Sequence, residues 1–187
     1  SSRIFLSLGI NDNTTNYSTP PSWFVPPVIF SSSNLPIVFI DTNGQNIVDD
    51  PKLFCDMGIV YNGQGILNSV SDMYNEYNGK ISIEHRGSSS QMFPKKSYGL
   101  ETQDIFGNNN NVSLLGMPAE NDWILYAPYS DKSFLRNVLT FDIGRKMGNY
   151  SPRTRFCELV LNGAYQGVYV LMEKIKRDKG RVDIAKL

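Results

Sequence analysis

The chain has 187 residues, 41% hydrophobic and 19% charged, which is enough for one domain with a substantial core. Eighteen basic residues balance eighteen acidic ones, which argues against nonspecific nucleic-acid binding driven by net charge. A single histidine excludes a centre built from several histidines, and no apolar run reaches the length of a membrane-spanning helix. The two cysteines, Cys55 and Cys157, are predicted to be buried thiols, with one disulfide bridge as the alternative.

The N-terminal segment differs in composition from the rest. Residues 1–34 are rich in Ser, Asn, Thr and Pro, and the stretch STPPSWFVPPVIFSSSN carries four prolines. Proline cannot donate a hydrogen bond inside a sheet, so this stretch is not a central strand. We predict an extended polar, Pro-rich arm over residues 1–34 and the folded domain over residues 35–187.

Several strands are predicted in the first half of that domain. LPIVFIDTNG (35–44) and FCDMGIVYNG (54–63) are apolar runs that each end in an Asn-Gly turn. In EYNGKISIEHRG, alternation places Ile81, Ile83 and His85 on one face, which predicts a packed core histidine. KKSYGLE is predicted as the next strand.

One helix and one hairpin are predicted in the second half. Ser130 is a good N-cap for a helix over residues 131–147, and Asn162-Gly163 is typical of a type I′ hairpin turn. Trp123 is predicted to anchor the core. The fold class predicted is α+β, a twisted, mostly antiparallel sheet with one principal helix packed against it. The apolar positions that recur at helical spacing are Leu135, Val138, Leu139, Ile143 and Met147.

The stretch HRGSSSQMFPKKSYGLE (85–101) carries the clearest chemical signal. Its Gly-Ser-Ser-Ser turn offers backbone N–H groups and hydroxyls, which are donors suited to an anion. Arg86 precedes the turn, and Lys95 and Lys96 follow it. Alternation places Lys96 on the face of Tyr98 and Leu100, and Lys95 on the opposite face. The alternative is a solvated hairpin tip whose lysines extend into water, and no Walker or GxGxxG pattern is present.

Three segments, in one order along the chain, closely resemble the kinase-like family of spore coat protein H (CotH). They are RGSSSQMFPKKSYGLE, NDWILYAPYSDKSFLRNVL and RTRFCELVLNGAYQGVYVLMEKIKRDKGRVDI, and the resemblance covers most of residues 35–187. It implies a fold like the N-terminal lobe of a protein kinase. It also implies ATP-dependent phosphorylation of protein Ser or Thr by the complete protein, with Mg or Mn, and a secreted or cell-surface bacterial location.

The resemblance also implies a set of nucleotide-binding residues. The serine turn would lie over the phosphates, Lys96 or else Lys95 would contact them, and the end of the last hairpin strand would lie near the adenine. The helix lacks a Glu on its expected inner face, so Asp131, Asp142 or Glu173 would partner the lysine. The implied residues are Arg86, Ser88, Ser89, Ser90, Lys95, Lys96, Leu171, Met172 and Glu173.

The catalytic and metal-binding aspartates of this family lie downstream, in the C-terminal lobe, and Asp178 and Asp183 do not match those motifs. We therefore expect residues 35–187 to form the nucleotide-binding part of the domain, without the catalytic lobe and without catalytic or metal-binding residues. Two alternatives remain. One is a non-catalytic β-rich module that binds carbohydrate or protein through exposed aromatic side chains, and the other is a structural component of a coat or surface.

Overall fold

The computed structural model describes residues 29–185, in which seven of nine strands form a closed barrel. A two-stranded pair, one α-helix and a short 3-10 helix (Ser89–Met92) complete this part of the chain. The elements are β1 (Ser32–Ser33), β2 (Ile37–Asp41), β3 (Leu53–Val60), β4 (Asn68–Ser69), β5 (Tyr77–Arg86), β6 (Ser97–Gln103), β7 (Asp122–Tyr126), α1 (Arg136–Lys146), β8 (Thr154–Leu161) and β9 (Ala164–Glu173).

The barrel closes where β2 pairs with β8. The strand order is β2-β3-β5-β6-β7-β9-β8, and only the closing pair is parallel, since all other neighbours in the barrel are antiparallel. The amide of Glu158 donates to the carbonyl of Pro36 at 2.8 Å, and that of Asn162 donates to Ile40 at 2.8 Å. Closure leaves no barrel strand with an unpaired edge.

The predicted fold class is therefore wrong. The described chain is mostly β, its sheet closes on itself, and it does not form the twisted sheet with a principal helix expected of a kinase N-terminal lobe. The helix has 11 residues, none of them buried. Alternation of side chains along a strand identifies the strand but not its partner. The two strands that close the barrel are distant in sequence, with Ile37 opposite Glu158.

The barrel interior holds the main core. Trp123 is fully buried and its indole N–H donates to the carbonyl of Glu120 at 3.0 Å, which confirms its predicted anchoring role. Cys55 and Cys157 are both buried free thiols, so the preferred prediction for the cysteines is confirmed. Burial raises the pKa of each thiol to about 12, which keeps both protonated and unreactive near neutral pH.

A second, smaller apolar cluster lies outside the barrel, beneath α1. The outward-facing side chains of Ile124, Val170 and Met172 are buried there, and Val138 and Phe141 of the helix pack against them. The helix thus covers part of the outer face of β7 and β9. No helix among residues 29–185 is long and apolar enough to cross a membrane.

The helix begins later than predicted. The Asp131 carboxylate accepts hydrogen bonds from the amides of Ser133 (3.1 Å) and Arg136 (3.0 Å), so a turn replaces the first predicted helical residues. Phe134 in this turn has a φ of 61°, a left-handed conformation that aromatic residues rarely adopt. The hairpin turn is as predicted, with φ of 50° at Asn162 and 76° at Gly163.

Most of the predicted N-terminal arm lies outside the described residues. Of its last residues, Ser32–Ser33 pairs with Asn68–Ser69, and the side-chain amide of Asn68 donates to the carbonyl of Leu35 at 2.9 Å. The division of the chain at residue 34 stays a prediction.

Barrel closure can be checked by amide hydrogen exchange. Alternating hydrogen bonds along the parallel pair direct the amides of Val38 and Ile40 toward β8. We expect both to exchange as slowly as the amides of Leu125 and Leu171 inside the barrel. Fast exchange confined to Val38 and Ile40, measured by NMR, would show that β2 is an open edge.

Candidate functional site

The barrel has two rims, and the predicted site residues divide between them. The lysine rim carries the connections 42–52, 87–96, 127–135 and 162–163. β9 starts at this rim and ends at Glu173 on the opposite rim, which we call the exit rim because the chain leaves the barrel there. The serine turn and the two lysines therefore lie at one end of the barrel, and Glu173 lies at the other.

The 87–96 loop is held in place by its own side chains. The side-chain amide of Gln91 donates to the Asp49 carboxylate at 2.9 Å and to the Gly87 carbonyl at 2.7 Å, which ties this loop to the 42–52 connection. Gly87 has a φ of 109°, and a Cβ there would lie 2.0 Å from the Ser90 hydroxyl. The turn therefore requires glycine at position 87.

The polar side chains around that turn face water. Arg86, Ser88 and Ser89 are exposed, and Ser90 is partly buried. The exposed guanidinium and hydroxyl groups can donate hydrogen bonds to an anion from solvent without moving any part of the core.

Lys95 is held over the end of the barrel. Its ammonium donates to the carbonyl of Val168 at 2.6 Å and lies 4.5 Å from the ring centroid of Tyr169 and 5.6 Å from that of Phe134. Burial lowers the pKa of Lys95, and the negative charge of the nearby Glu158 carboxylate partly offsets that effect. Lys95 is thus a partly desolvated cation stabilised by aromatic rings and a carbonyl dipole.

Lys96 lies within the loop itself. Its ammonium donates to the carbonyl of Gln91 at the end of the 3-10 helix. Burial lowers the pKa of the adjacent His85, and the positive charge of Lys96 lowers it further. His85 is only partly buried, with its ring 5.7 Å from that of Tyr98.

These two lysines differ from the other partly buried lysines among residues 29–185. Six lysines in this part of the chain are partly buried, and four of them pair with carboxylates. Lys95 and Lys96 form no ion pair within the described range, and backbone carbonyls are their hydrogen-bond partners. The four paired lysines are Lys52, Lys80, Lys174 and Lys176.

The carboxylates expected to partner the lysine are paired elsewhere. Asp131 lies 3.7 Å from the Arg136 guanidinium, and Asp142 lies 2.8 Å from the Lys146 ammonium. Glu173 is at the exit rim and binds arginines there. Lys95 and Lys96 consequently have no carboxylate within ion-pair distance in the described range, and Glu158 acts on Lys95 only from further away.

The residues expected near the adenine lie further along β9 than Val168 and Tyr169, the two residues of that strand that Lys95 contacts. Leu171 faces the barrel interior, and Met172 faces the outer cluster beneath α1. β9 is paired on both sides, with β7 and β8, so the backbone groups of both residues belong to the sheet. Their predicted contact with adenine stays a prediction.

Glu173 forms a buried ion pair that sequence reasoning missed. Its carboxylate accepts from the amide of Arg153 at 2.8 Å, the guanidinium of Arg153 at 2.8 Å and that of Arg181 at 2.5 Å. The Arg181 side chain is fully buried, 5.1 Å from the ring of Trp123. The Glu173–Arg181 ion pair holds the segment after β9 against the end of the barrel. An isolated arginine in a charged tail gives no sequence signal of such a role.

The lysine rim fits the phosphate part of a nucleotide better than it fits a metal. Two unpaired ammonium groups and exposed serine hydroxyls are donors for anionic oxygens. Within residues 29–185, no group of three or more His, Cys, Asp or Glu side chains is arranged to hold a metal ion. A metal bound with the phosphates would need ligands other than these residues.

Comparison with known proteins settles the family. The sequence model of the family described as CotH kinase protein matches residues 83–186, more than half of the chain. The chain belongs to the CotH family. It is also 31% identical over 97 residues to the inner spore coat protein H of Bacillus subtilis (strain 168). That match covers 51% of this chain and 24% of the relative, so it spans about a quarter of the relative's length. The family resemblance predicted from the three motifs is confirmed.

The Glu173–Arg181 pair predicts a large stability effect. Arg181→Ala would leave the buried Glu173 carboxylate with one fewer cation and expose the Trp123 ring. We expect the free energy of unfolding to fall by about 3–5 kcal/mol, measured by chemical denaturation. Arg177→Ala, at an exposed position four residues earlier, is the matched control and should change it by less than ~0.5 kcal/mol. Equal losses in the two variants would contradict a specific role for Arg181.

Proposed function

We propose that this chain supplies the phosphate-binding part of an ATP-dependent protein kinase that, in the complete protein, phosphorylates Ser or Thr of protein substrates with Mg or Mn. The observation that carries the proposal is the pair Lys95 and Lys96, which are partly buried and have no carboxylate partner among residues 29–185. The name of the family model, CotH kinase protein, supports the same reaction class.

The chemistry of the rim supports binding of a polyphosphate. A phosphate oxygen accepting from Lys95 would replace the neutral carbonyl of Val168 with an anion, giving a stronger charge-assisted hydrogen bond. The same groups would neutralise charge on the phosphoryl group as it transfers, which is the main protein contribution in this kind of reaction. Ser88 and Ser89 are exposed in the same 87–96 loop and would supply further donors.

The proposed reaction also needs groups that residues 29–185 do not supply. Residues 29–185 offer cations for phosphate, but the backbone of Leu171 and Met172 is already paired within the barrel. We infer that groups for the metal and for activating the substrate hydroxyl come from sequence outside this range. ATP and the protein substrate are the partners that this proposal requires.

A structural role in a spore coat is the second candidate function. The relative in Bacillus subtilis is named as an inner spore coat protein, which supports a coat or surface location for this chain as well. A structural component, or a β-rich module that binds glycans, would not respond to ATP. The melting temperature measured with ATP plus Mg or Mn, and separately with a glycan panel, separates these functions.

Substitution of the lysines tests the phosphate site. In the complete protein, we expect Lys95→Ala and Lys96→Ala each to weaken ATP binding by roughly 10- to 100-fold, since a hydrogen bond to a charged group contributes about 1.5–3 kcal/mol. Isothermal titration calorimetry with ATP and Mg or Mn is the measurement.

Lys80→Ala is the matched control for that experiment. Lys80 is also partly buried, but it pairs with Asp56 at 2.6 Å on the outer face of the barrel, away from the lysine rim. ATP affinity should be unchanged in this variant. If Lys95→Ala and Lys96→Ala bind ATP as tightly as Lys80→Ala, the phosphate site is not at the lysine rim.

The lowered pKa of Lys95 predicts a pH dependence of binding. Only the protonated ammonium attracts phosphate, so affinity should fall as pH rises through the pKa of Lys95. Because burial places that pKa below the ordinary lysine value, the loss should begin at a lower pH than for an exposed lysine. Titrations across the alkaline range should show this fall in the native protein and lose it in Lys95→Ala. An identical alkaline profile in both proteins would exclude Lys95 as the titrating group.

A further inference from the structure

A cleft of about 470 Å³ lies on the outer wall of the barrel, on strands that α1 does not cover. The strand register places three outward-facing side chains, those of Phe54, Ser82 and Glu101, side by side on β3, β5 and β6. The turn 104–108, which follows β6, completes the cleft. We call it the wall cleft, and its lining includes Phe54, Ser82, Glu101, Gln103, Ile105 and Phe106.

Large apolar side chains of the wall cleft are exposed to water. The exposed fractions are 42% for Phe54, 74% for Ile105 and 82% for Phe106. The turn that carries Phe106 is held in place, because the Asp104 carboxylate accepts from the amides of Phe106 at 2.8 Å and Asn108 at 2.9 Å. An exposed aromatic ring on a turn fixed in this way loses little conformational freedom on binding, which favours an interaction site.

Two polar side chains of the wall cleft can form further hydrogen bonds. One carboxylate oxygen of Glu101 accepts from Lys52, and the other lies 3.4 Å from the Ser82 hydroxyl, which is a long hydrogen bond. The side-chain amide of Gln103 has no hydrogen-bond partner within residues 29–185. The wall cleft therefore offers acceptor oxygens next to aromatic rings.

The ion pairs around the wall cleft leave an excess of negative charge. Lys52 is shared between Glu101 and Glu84, which is 3.8 Å away, and Lys80 pairs with Asp56 at 2.6 Å. Three carboxylates are thus balanced by only two ammonium groups. The Lys80 ammonium also lies 5.6 Å from the centroid of the Phe54 ring, so this wall already holds one cation against an aromatic face. A cationic ligand complements these charges.

A guanidinium group fits the wall cleft better than a neutral sugar or a second copy of this chain. A guanidinium can pair with a carboxylate through two hydrogen bonds and also stack on an aromatic ring. A neutral sugar would leave the excess negative charge unbalanced. Two copies of the chain meeting at this face would bring like charges together, which opposes association.

We propose that the wall cleft binds an arginine-containing segment of a partner protein. The guanidinium pairs with Glu101 and stacks on Phe106, and apolar residues next to the arginine pack against Ile105 and Phe54. This proposal does not depend on nucleotide binding at the lysine rim.

A short fluorescent peptide of alternating leucine and arginine is the probe for this site. The same peptide with citrulline in place of arginine is its neutral control. With the complete protein, fluorescence anisotropy should show binding of the arginine peptide and at least tenfold weaker binding of the citrulline peptide, because only the first can form charge-assisted hydrogen bonds. Equal affinity for the two peptides, or no binding of the arginine peptide, would overturn the proposal.

Two substitutions test whether the peptide binds in the wall cleft. Glu101→Gln keeps the shape of the side chain but removes its charge, and should weaken binding of the arginine peptide about tenfold. Phe106→Ala removes a ring that is 82% exposed and should weaken it about threefold. Asp142→Asn is the matched control, since this carboxylate is also partly exposed and paired with a lysine but lies on α1. Its affinity should be unchanged.

Two results would assign the binding elsewhere. Equal losses in all three variants would show that the peptide responds only to the overall charge of the protein. Binding of a neutral glycan that is lost in Phe106→Ala, without binding of the arginine peptide, would make the wall cleft a sugar site. Either result contradicts the proposal.

Discussion

The parallel pairing of β2 with β8 is the constraint on which the rest of this structure depends. Without it, the other six strand pairs would form an ordinary sheet with two open edges and no enclosed interior. With it, inward-facing side chains such as Trp123 and Tyr169 fill a closed core. Closure also gives the protein two rims at a fixed separation, so the position of every loop relative to the others follows from the strand on which it begins.

The charged side chains at the two rims differ in their partners. At the exit rim, Lys174 and Lys176 pair with carboxylates, and the buried Glu173 is bound by arginines. Removal of a charge from water is costly unless a partner replaces the lost hydration. At the lysine rim, Lys95 and Lys96 are partly desolvated with only carbonyls as partners. The ion pairs at the exit rim therefore stabilise the fold, whereas the lysine rim has cations available to bind an anion.

Local sequence patterns predicted the structural features that depend on residues close to one another in the sequence. The Asn-Gly turn at Asn162 requires left-handed backbone at two adjacent residues, and those residue types adopt it readily. The strands, the core role of Trp123 and the family were also readable. Barrel closure could not be read from the sequence, because it depends on which strands, distant in sequence, pair along their edges. The start of α1 was missed because the side chain of Asp131 competes for the amide of Arg136.

Two site features escaped prediction for a related reason. Helical spacing shows that Leu135, Leu139 and Ile143 share a face of α1, but it does not say whether that face meets the core. In the structure, the other face of α1 packs against the barrel, through Val138 and Phe141. In the same way, the sequence placed Lys96 on the apolar face of its strand. The strand begins only at Ser97, so the alternation does not extend to the lysines, and it is Lys95 that reaches across to Tyr169.

Phe134 links the lysine rim to the start of α1. Phe134 contacts the Lys95 ammonium through its ring, 5.6 Å away, and immediately precedes Leu135, an exposed residue at the start of α1. Its left-handed backbone costs roughly 1–3 kcal/mol, a strain that persists only where surrounding contacts hold the residue in place. The contact with Lys95 is one of these, so the backbone at the start of α1 and the position of the Lys95 ammonium depend on each other.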